Sequence, residues 1–391
     1  MSATSPGDVK IYSAMLGGSF ATVDVSRRIM DMSVFHDLKK PYSSVVLNLQ
    51  DSSGLLQNMK LDGTQTFATS FGQPPDQDPY EGEWVLTNIE NVTGTNNQRT
   101  EFFRATGFSK HMLNLQKVQR SFRDVPMTDA IRTLVNEVLS PSKPFNVLAP
   151  SRNITGDKRM PYTINGQQVF KAIRQLMHGS ASSKDTSSAY VLFERHKELV
   201  LDTLENIAGN VGGGPTYYQQ VLGSDFLIDV ARQQFTILAL RENSRADAAV
   251  QAQDKAQSTN VVDIFNTVFK NTPFGSGKAS SYASLAYNSM RVPSFMQDAM
   301  APRRRVAGQF DQQSFTLTVP LNPALDVGKG FSVSMSAALG ETDDSVEDRV
   351  SGDLVATQVR HTVNMQTPRS TSMLPGTTSV TGVKGNRGYN D

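Results

Sequence analysis

The stretch "SGDLVATQVRHTVNM", residues 351–365, carries the last clean two-residue alternation in the chain. Val355, Thr357, Val359, His361 and Val363 fall on one face, and Leu354, Ala356, Gln358, Arg360 and Thr362 on the other, the pattern of a β-strand. His361 therefore stands among valines. Nothing beside it supplies a nucleophile or a second ligand, so it reads as a packed, hydrogen-bonded part of the architecture rather than as a catalyst. Neighbouring strands are legible upstream. Phe315, Leu317, Val319 and Leu321 alternate with polar residues, as do Phe331, Val333, Met335 and Ala337 against Ser332, Ser334 and Ser336. The residues assigned to the core or an interface here are Phe331, Val333, Met335, Val355, Val359 and His361.

The same period opens the chain. Val45, Leu47 and Leu49 share a face, and Phe67, Thr69 and Phe71 restart the alternation after the Asp62-Gly63 turn signal. "EFFRATGF" at 101–108 adds another strand, and closely spaced short strands with Gly and Asp turns make residues 1–115 a small antiparallel barrel or sandwich, read here as a barrel. Residues 116–209 read as an α/β domain. Ile131, Leu134, Val135, Val138 and Leu139 recur at helical spacing, with Pro141 and Pro144 beyond the stop. A second helix is expected from Asn165, with Gln168 closing a capping box and Val169, Ile173, Leu176 and Met177 as its stripe. "AYVLFERHKELVLDTL" then reads as a hairpin turning at Arg195–Lys197.

Asn210–Pro215, "NVGGGP", is read as a linker. Beyond it, 210–241 and 310–367 make a second β-barrel, interrupted at 242–309 by an Ala-rich helical insertion with Ile264, Phe265, Val268 and Phe269 as one face. Residues 368–391 are Thr, Ser, Gly and Pro rich and read as a polar extended tail that orders only against a partner. The expected fold class is α+β: two small antiparallel barrels, an α/β domain between them, and a helical insertion in the second.

Composition narrows the chemistry. With 38 basic and 37 acidic residues among 391, a net charge of +1 argues against a protein that coats nucleic acid or a charged membrane surface. Cysteine is absent, which excludes disulfide scaffolds, thiolate metal sites and cysteine nucleophiles. No signal peptide or membrane anchor is legible, so synthesis as a soluble cytoplasmic chain is expected.

No string supports catalysis, a cofactor or a metal. "TPFGSGKAS" has Thr272 where a phosphate loop needs glycine and Ala279 where it needs Ser or Thr. His36, His111, His178, His196 and His361 show no metal-ligand spacing. "ETDDSVEDR" (341–349) lacks the order of a calcium loop, and "APRRR" (301–305) reads as a helix end or a contact for an acidic partner. Asn91 and Asn153 stand in glycosylation sequons that mean nothing without a secretory route. One reading is a carbohydrate- or peptidoglycan-active enzyme using Glu194 and Glu198, carboxylates expected to be solvated beside the hairpin turn. A host-surface binding module is another reading, with Trp84 the single tryptophan for sugar stacking.

Taken in order, several segments resemble the central baseplate hub proteins of contractile-tailed bacteriophages, over about 9–367. They are "VFHDLKKPYSSVVLNLQDSSGLL" (34–56) with "LDGTQTFATSF"; "FRDVPMTDAIRTLVNEVL", "YTINGQQVFKAIRQLM" and "AYVLFERHKELVLDTL"; and "FTLTVPLNPALDVGKGFSV" with "SGDLVATQVRHTV". The resemblance implies that the barrels are tube-type domains. It also implies a homotrimer whose six similar barrels adapt a sixfold tail tube to a threefold spike around a channel that passes DNA without specific binding. Tail tube protein, central spike protein and baseplate wedge proteins would be the partners. The location would be the virion tail baseplate, assembled in the bacterial host cytoplasm. The two barrels show no sequence repeat, so their likeness rests on the resemblance.

Overall fold

The computed structural model describes residues 8–18, 21–51, 64–74, 78–93, 101–151, 162–183, 188–209, 211, 213–219, 235–244, 257–263, 268–274, 281–287, 310, 313–335, 351–365 and 374–384. These residues are mainly β-sheet with a few short helices, an α+β arrangement. The first unit comprises β1 (Lys10–Gly17), β2 (Thr22–Asp24), β3 (Ile29–Asp37), β4 (Ser44–Gln50), β5 (Thr66–Gly72), β6 (Tyr80–Thr93) and β7 (Glu101–Phe108). They lie in the order β3-β4-β7-β6-β5-β1-β2, all antiparallel. The alternation expected in β4 and β5 is realised: Val45, Leu47, Leu49, Phe67 and Phe71 are buried on one face. Trp84 fills the centre, stacked on Phe67 at 6.2 Å and Tyr80 at 6.4 Å. Its ring lies across Gly82, where a Cβ would come within 2.1 Å of it.

A second unit follows, with β8 (Lys117–Phe122), α1 (Met127–Leu134), β9 (Phe145–Val147), β10 (Tyr162–Gln168), α2 (Val169–His178), β11 (Tyr190–Glu194), β12 (Leu199–Thr203) and α3 (Leu204–Gly209). A π-turn over Val135–Leu139 extends α1 until Ser140 turns left-handed at φ 45°. The second helix starts three residues later than its capping pattern suggests. Asn165 lies in β10, whose pairing with β8 holds the backbone extended, and helix begins only after Gln168. Ile131, Leu134, Ile173 and Leu176 bury against β11 and β12 in a separate core.

The third unit holds β13 (Thr216–Gln219), β14 (Thr236–Ile237), β15 (Ala239–Ser244), β16 (Gln257–Asp263), β17 (Val268–Phe274), β18 (Ser281–Tyr287), β19 (Gln313–Pro320), β20 (Gly330–Ser334), β21 (Gly352–Asn364) and β22 (Gly376–Lys384). Three expectations change here. Described residues of the supposed helical insertion form strands, β16 pairing with β17 and β18 in a sheet of their own. Val268 and Phe269 belong to β17, consistent with the strand preference of the β-branched and aromatic residues in "VFKNTPF" and with Pro273, which a helix interior rejects. Ile264 and Phe265, "APRRR", "ETDDSVEDR", Asn153 and the glycines of "FGSGK" lie outside the described residues.

The supposed tail contributes β22, which pairs with β19 on one side and β21 on the other. Its Thr-rich composition hides a strand in which Thr378, Val380 and Val383 are buried. Of the linker's described glycines, Gly213 turns left-handed at φ 88° in open space, while Gly214 is packed rather than loose. Gly214 runs so close to Gly330 that a Cβ would sit 1.8 Å from the Gly330 carbonyl oxygen, and Ser332 N–H donates to Pro215 O at 2.9 Å.

Instead of two separate barrels, strands of the first and third units join in one 14-stranded sheet, and no closed barrel is formed among the described residues. The two units nonetheless repeat each other. In the first, residues 22–37 reach from β1 through β2 to β4 through β3. In the third, residues 236–244 reach from β13 through β14 to β19 through β15, with Leu238 N–H donating to Thr318 O at 2.8 Å. Beyond these, β4-β7-β6-β5 in one corresponds to β19-β22-β21-β20 in the other, and only the sense of the first strand differs. The match extends to single residues. Both β6 and β21 carry a bulge on a threonine, Thr87 and Thr357, and each hydroxyl donates to the carbonyl of a facing threonine, Thr106 at 3.3 Å and Thr381 at 3.0 Å.

Candidate functional site at the seam between the repeated units

The bulge at Thr357 explains how the opening stretch behaves. Leu354, Val355 and Ala356 are all buried, and the extra residue at Thr357 puts Leu354 and Ala356, rather than Val355, on the face of Val359. After the bulge the expected face holds: Val359, His361 and Val363 point inward, while Gln358 and Arg360 are exposed. Phe331 and Val333 are buried in β20, and Met335, just past its end, is half-buried.

The second half of β21, Gln358–Asn364, pairs antiparallel with Asp31–Asp37 of β3, and this ladder is the seam. Arg360 lies over the Phe35 ring at 4.9 Å and donates to Ser33 Oγ at 3.0 Å, sealing the outer face. Inside, Tyr80 is surrounded by histidines that are remote in sequence: His196 stacks on it at 4.4 Å, and His361 and His36 lie at 5.5 and 5.8 Å. The rings are committed to structural bonds. The Glu194 carbonyl can only accept, so His36 Nδ1–H donates to it at 2.9 Å and Nε2 is left to accept the Tyr80 hydroxyl at 2.8 Å. His196 Nε2 accepts the Glu81 amide at 2.7 Å, and His361 Nδ1 meets Thr378 Oγ1 at 3.0 Å.

Burial is the main force on these groups. It pushes His361 down to about 3, with His36 and His196 adding repulsion, and His196 down to about 4, helped by Lys143 and Lys197. It also lifts the Tyr80 phenol well above its ordinary value, with Glu194 and Asp326 adding to the rise. A histidine with a depressed value contributes stability that is complete above about 6.5 and is lost as pH falls through the folded value. In wild-type protein His361 is therefore expected to add an acid slope of about 1.4 kcal/mol per pH unit between about pH 6 and 3. His361→Asn, the residue at the equivalent position 91, should remove about one proton from that slope. Denaturant unfolding at several pH values reads this, and an unchanged slope would show that His361 is already charged in the fold.

The turn between β11 and β12 locks the three units together. Its residues were expected to be solvated, yet Glu194 is 3% exposed. Oε2 accepts from Ser43 N–H at 2.8 Å and Ser109 Oγ at 2.5 Å, and Oε1 from Ser43 Oγ at 3.1 Å and Lys143 Nζ at 2.6 Å. Burial alone would raise this carboxyl, but Lys143, His111 and His36 outweigh it and hold it at about 2. On the other side, the His196 amide donates to Asp326 Oδ2 at 2.6 Å, and Arg195 donates to Val327 O at 2.9 Å and Gly328 O at 3.1 Å. Glu198 is held by Arg195 at 2.9 Å. A carboxylate saturated by four donors has no lone pair poised for a substrate, so the Glu194–Glu198 pair does not form an acid–base site. Trp84 is wholly buried, its indole N–H donating to Ser43 Oγ at 2.9 Å, and offers no face to a sugar. Sequence reasoning missed this junction because its members are spread from Ser43 to Gly328 and only folding assembles them.

No family model matches the sequence, and no curated protein matches it. Solved structures do. A tail protein from Neisseria meningitidis is 9% identical, with 95% of each chain covered and a TM-score of 0.60. A 43 kDa tail protein of a Shewanella oneidensis prophage is 9% identical over 95% of this chain and 98% of its own, with a TM-score of 0.57. An E. coli component of the type VI secretion system, described as structurally similar to T4 bacteriophage tail proteins, is 9% identical over 97% of this chain and 77% of its own, with a TM-score of 0.51.

Proposed function

Because the chain carries the fold of phage tail proteins, we propose that it is a structural component of a phage tail, the central hub of its baseplate. It would act as a homotrimeric adaptor between a sixfold tail tube and a threefold spike, with baseplate wedge proteins around it and DNA passing through. The observation that supports this reading most is the repeat. One chain presents two units of the same strand order, already joined edge to edge across β3 and β21. Three such chains offer six similar faces, which a sixfold partner can meet, while the chain itself keeps threefold symmetry for a spike. The near return of each strand ladder on itself, through residues 22–37 and 236–244, supports reading the units as tube-type barrels. Near-neutral charge, +1, suits a channel through which phosphates slide.

The bonded state of Glu194 and the burial of Trp84 favour this structural role over the enzyme and sugar-binding readings. Light scattering across concentration tests it. A particle of three times the 42.8 kDa chain mass is expected, and a monomer at every concentration, including with the spike protein present, would overturn it.

A further inference from the structure

The seam between β21 and β3 has a counterpart whose two halves are both left without a described partner strand. Strand β6, the equivalent of β21, pairs with β7 from Val85 to Thr93 but with β5 only from Tyr80 to Val85. Strand β15, the equivalent of β3, pairs with β19 along one edge, and no described strand pairs with the other. The half of β21 past its bulge fills the matching edge of β3 within the chain, whereas the same half of β6 meets no strand there among the described residues.

Resting on the trimeric reading above, we propose that the outer half of β6 pairs antiparallel with β15 of a second copy of this chain, in the register by which β21 pairs with β3. Superposing the equivalent ladders places Glu90 where Arg360 stands and Asn243 where Phe35 stands, facing each other, with Arg241 in the place of Ser33.

Two independent features fit. The first is charge. At the intrachain seam Arg360 reaches diagonally to Ser33; at the proposed one an exposed Glu90 reaches diagonally to an exposed Arg241, an acid meeting a base. The second is apolar surface. Val359 and Met32, which the intrachain seam covers, are 1% and 0% exposed, while their equivalents Ile89 and Leu240 are only half-buried. The contact is heterologous, so repeating it around an axis closes a ring in which intrachain and interchain seams alternate. It would also cover two edges that otherwise invite unwanted pairing.

The chain has no cysteine, so Glu90→Cys combined with Asn243→Cys reads the seam directly after oxidation, on a non-reducing gel. Expected are covalent dimers and trimers from the double variant and monomers from either single one. A ladder that stops at trimer supports both the seam and the hub. A ladder running past trimer keeps the seam and overturns the threefold hub. A trimer by light scattering that yields no cross-linked band keeps the hub and overturns the seam, and a monomer without a band overturns both. In a cysteine-free background, Glu90→Arg should raise the concentration at which the oligomer dissociates by at least about tenfold, without lowering the melting temperature of the dissociated chain. Adding Arg241→Glu should restore it. Failure of the pair to rescue would remove the proposed register.

Discussion

A chain ended after Met365 is expected to lose its folded third unit, the largest single effect foreseen for this protein. The deletion removes β22, the strand that joins β19 to β21 through a ladder from Ser314 to Pro320 and one from Leu354 to Val363 that is broken only by the bulge at Thr357. Two buried valines go with it, Val380 and Val383, worth about 1.5–3 kcal/mol each in transfer from water. Two long sheet edges would be uncovered at the same time, an open template for aggregation. Such losses rival the whole stability of a typical domain, about 5–15 kcal/mol. The truncated chain should be insoluble, or be digested beyond about residue 210 by a protease that leaves the full chain intact. A soluble, protected truncation with an unchanged melting temperature would mean that β22 does not hold the sheet. A shorter cut, removing only 385–391, leaves every described pairing of β22 in place and serves as the control.

Glu194→Ala is expected to cost about 3 kcal/mol, in the range found when one partner of a buried ion pair is removed. The loss removes the carboxylate acceptor of Lys143 Nζ, the Ser43 amide and the Ser109 hydroxyl, leaving them the longer bonds to Arg195 O, Ser109 Oγ and Ser43 O, and it cuts the carboxylate link between the hairpin turn and the first unit. Glu194→Gln keeps the shape but turns an amide nitrogen toward donors, so it should be destabilising too. The sign of the pH dependence follows from the carboxyl's value of about 2, below its ordinary 4.5. Its stabilisation is present above about pH 4.5 and is lost as pH falls toward 2. Wild-type and Glu194→Gln melting curves should therefore differ most near neutrality and draw together in acid. Equal melting temperatures at pH 7 would show that the network contributes nothing net.

Local patterns were legible wherever one face of an element is buried by its own unit. The alternations of β4, β5 and β19, the stripe of α1 and the hairpin of β11 and β12 all follow from side chains whose burial repeats every two or every three to four residues. Misreadings occurred where a long-range partner overrode the local signal. Asn165 was drawn into a strand by β8, and "GTTSVTGVK" became a central strand because β19 and β21 flank it on both sides. Thr357 hid a bulge, since one added residue leaves the composition of a strand unchanged while exchanging its faces. Glu194 looked solvated from its place beside a turn, and its saturation by Ser43, Ser109 and Lys143 could not be foreseen from neighbours in sequence.

The buried faces of β4, β5, β19 and α1 and the absence of cysteine are properties of short windows, because periodic burial and residue type act locally. The equivalence of the two sheet units, their fusion through β3 and β21, and the buried knot of Tyr80, His36, His196 and His361 depend on pairings across hundreds of residues. No window contains both partners of such a pairing, so only the folded chain reveals it.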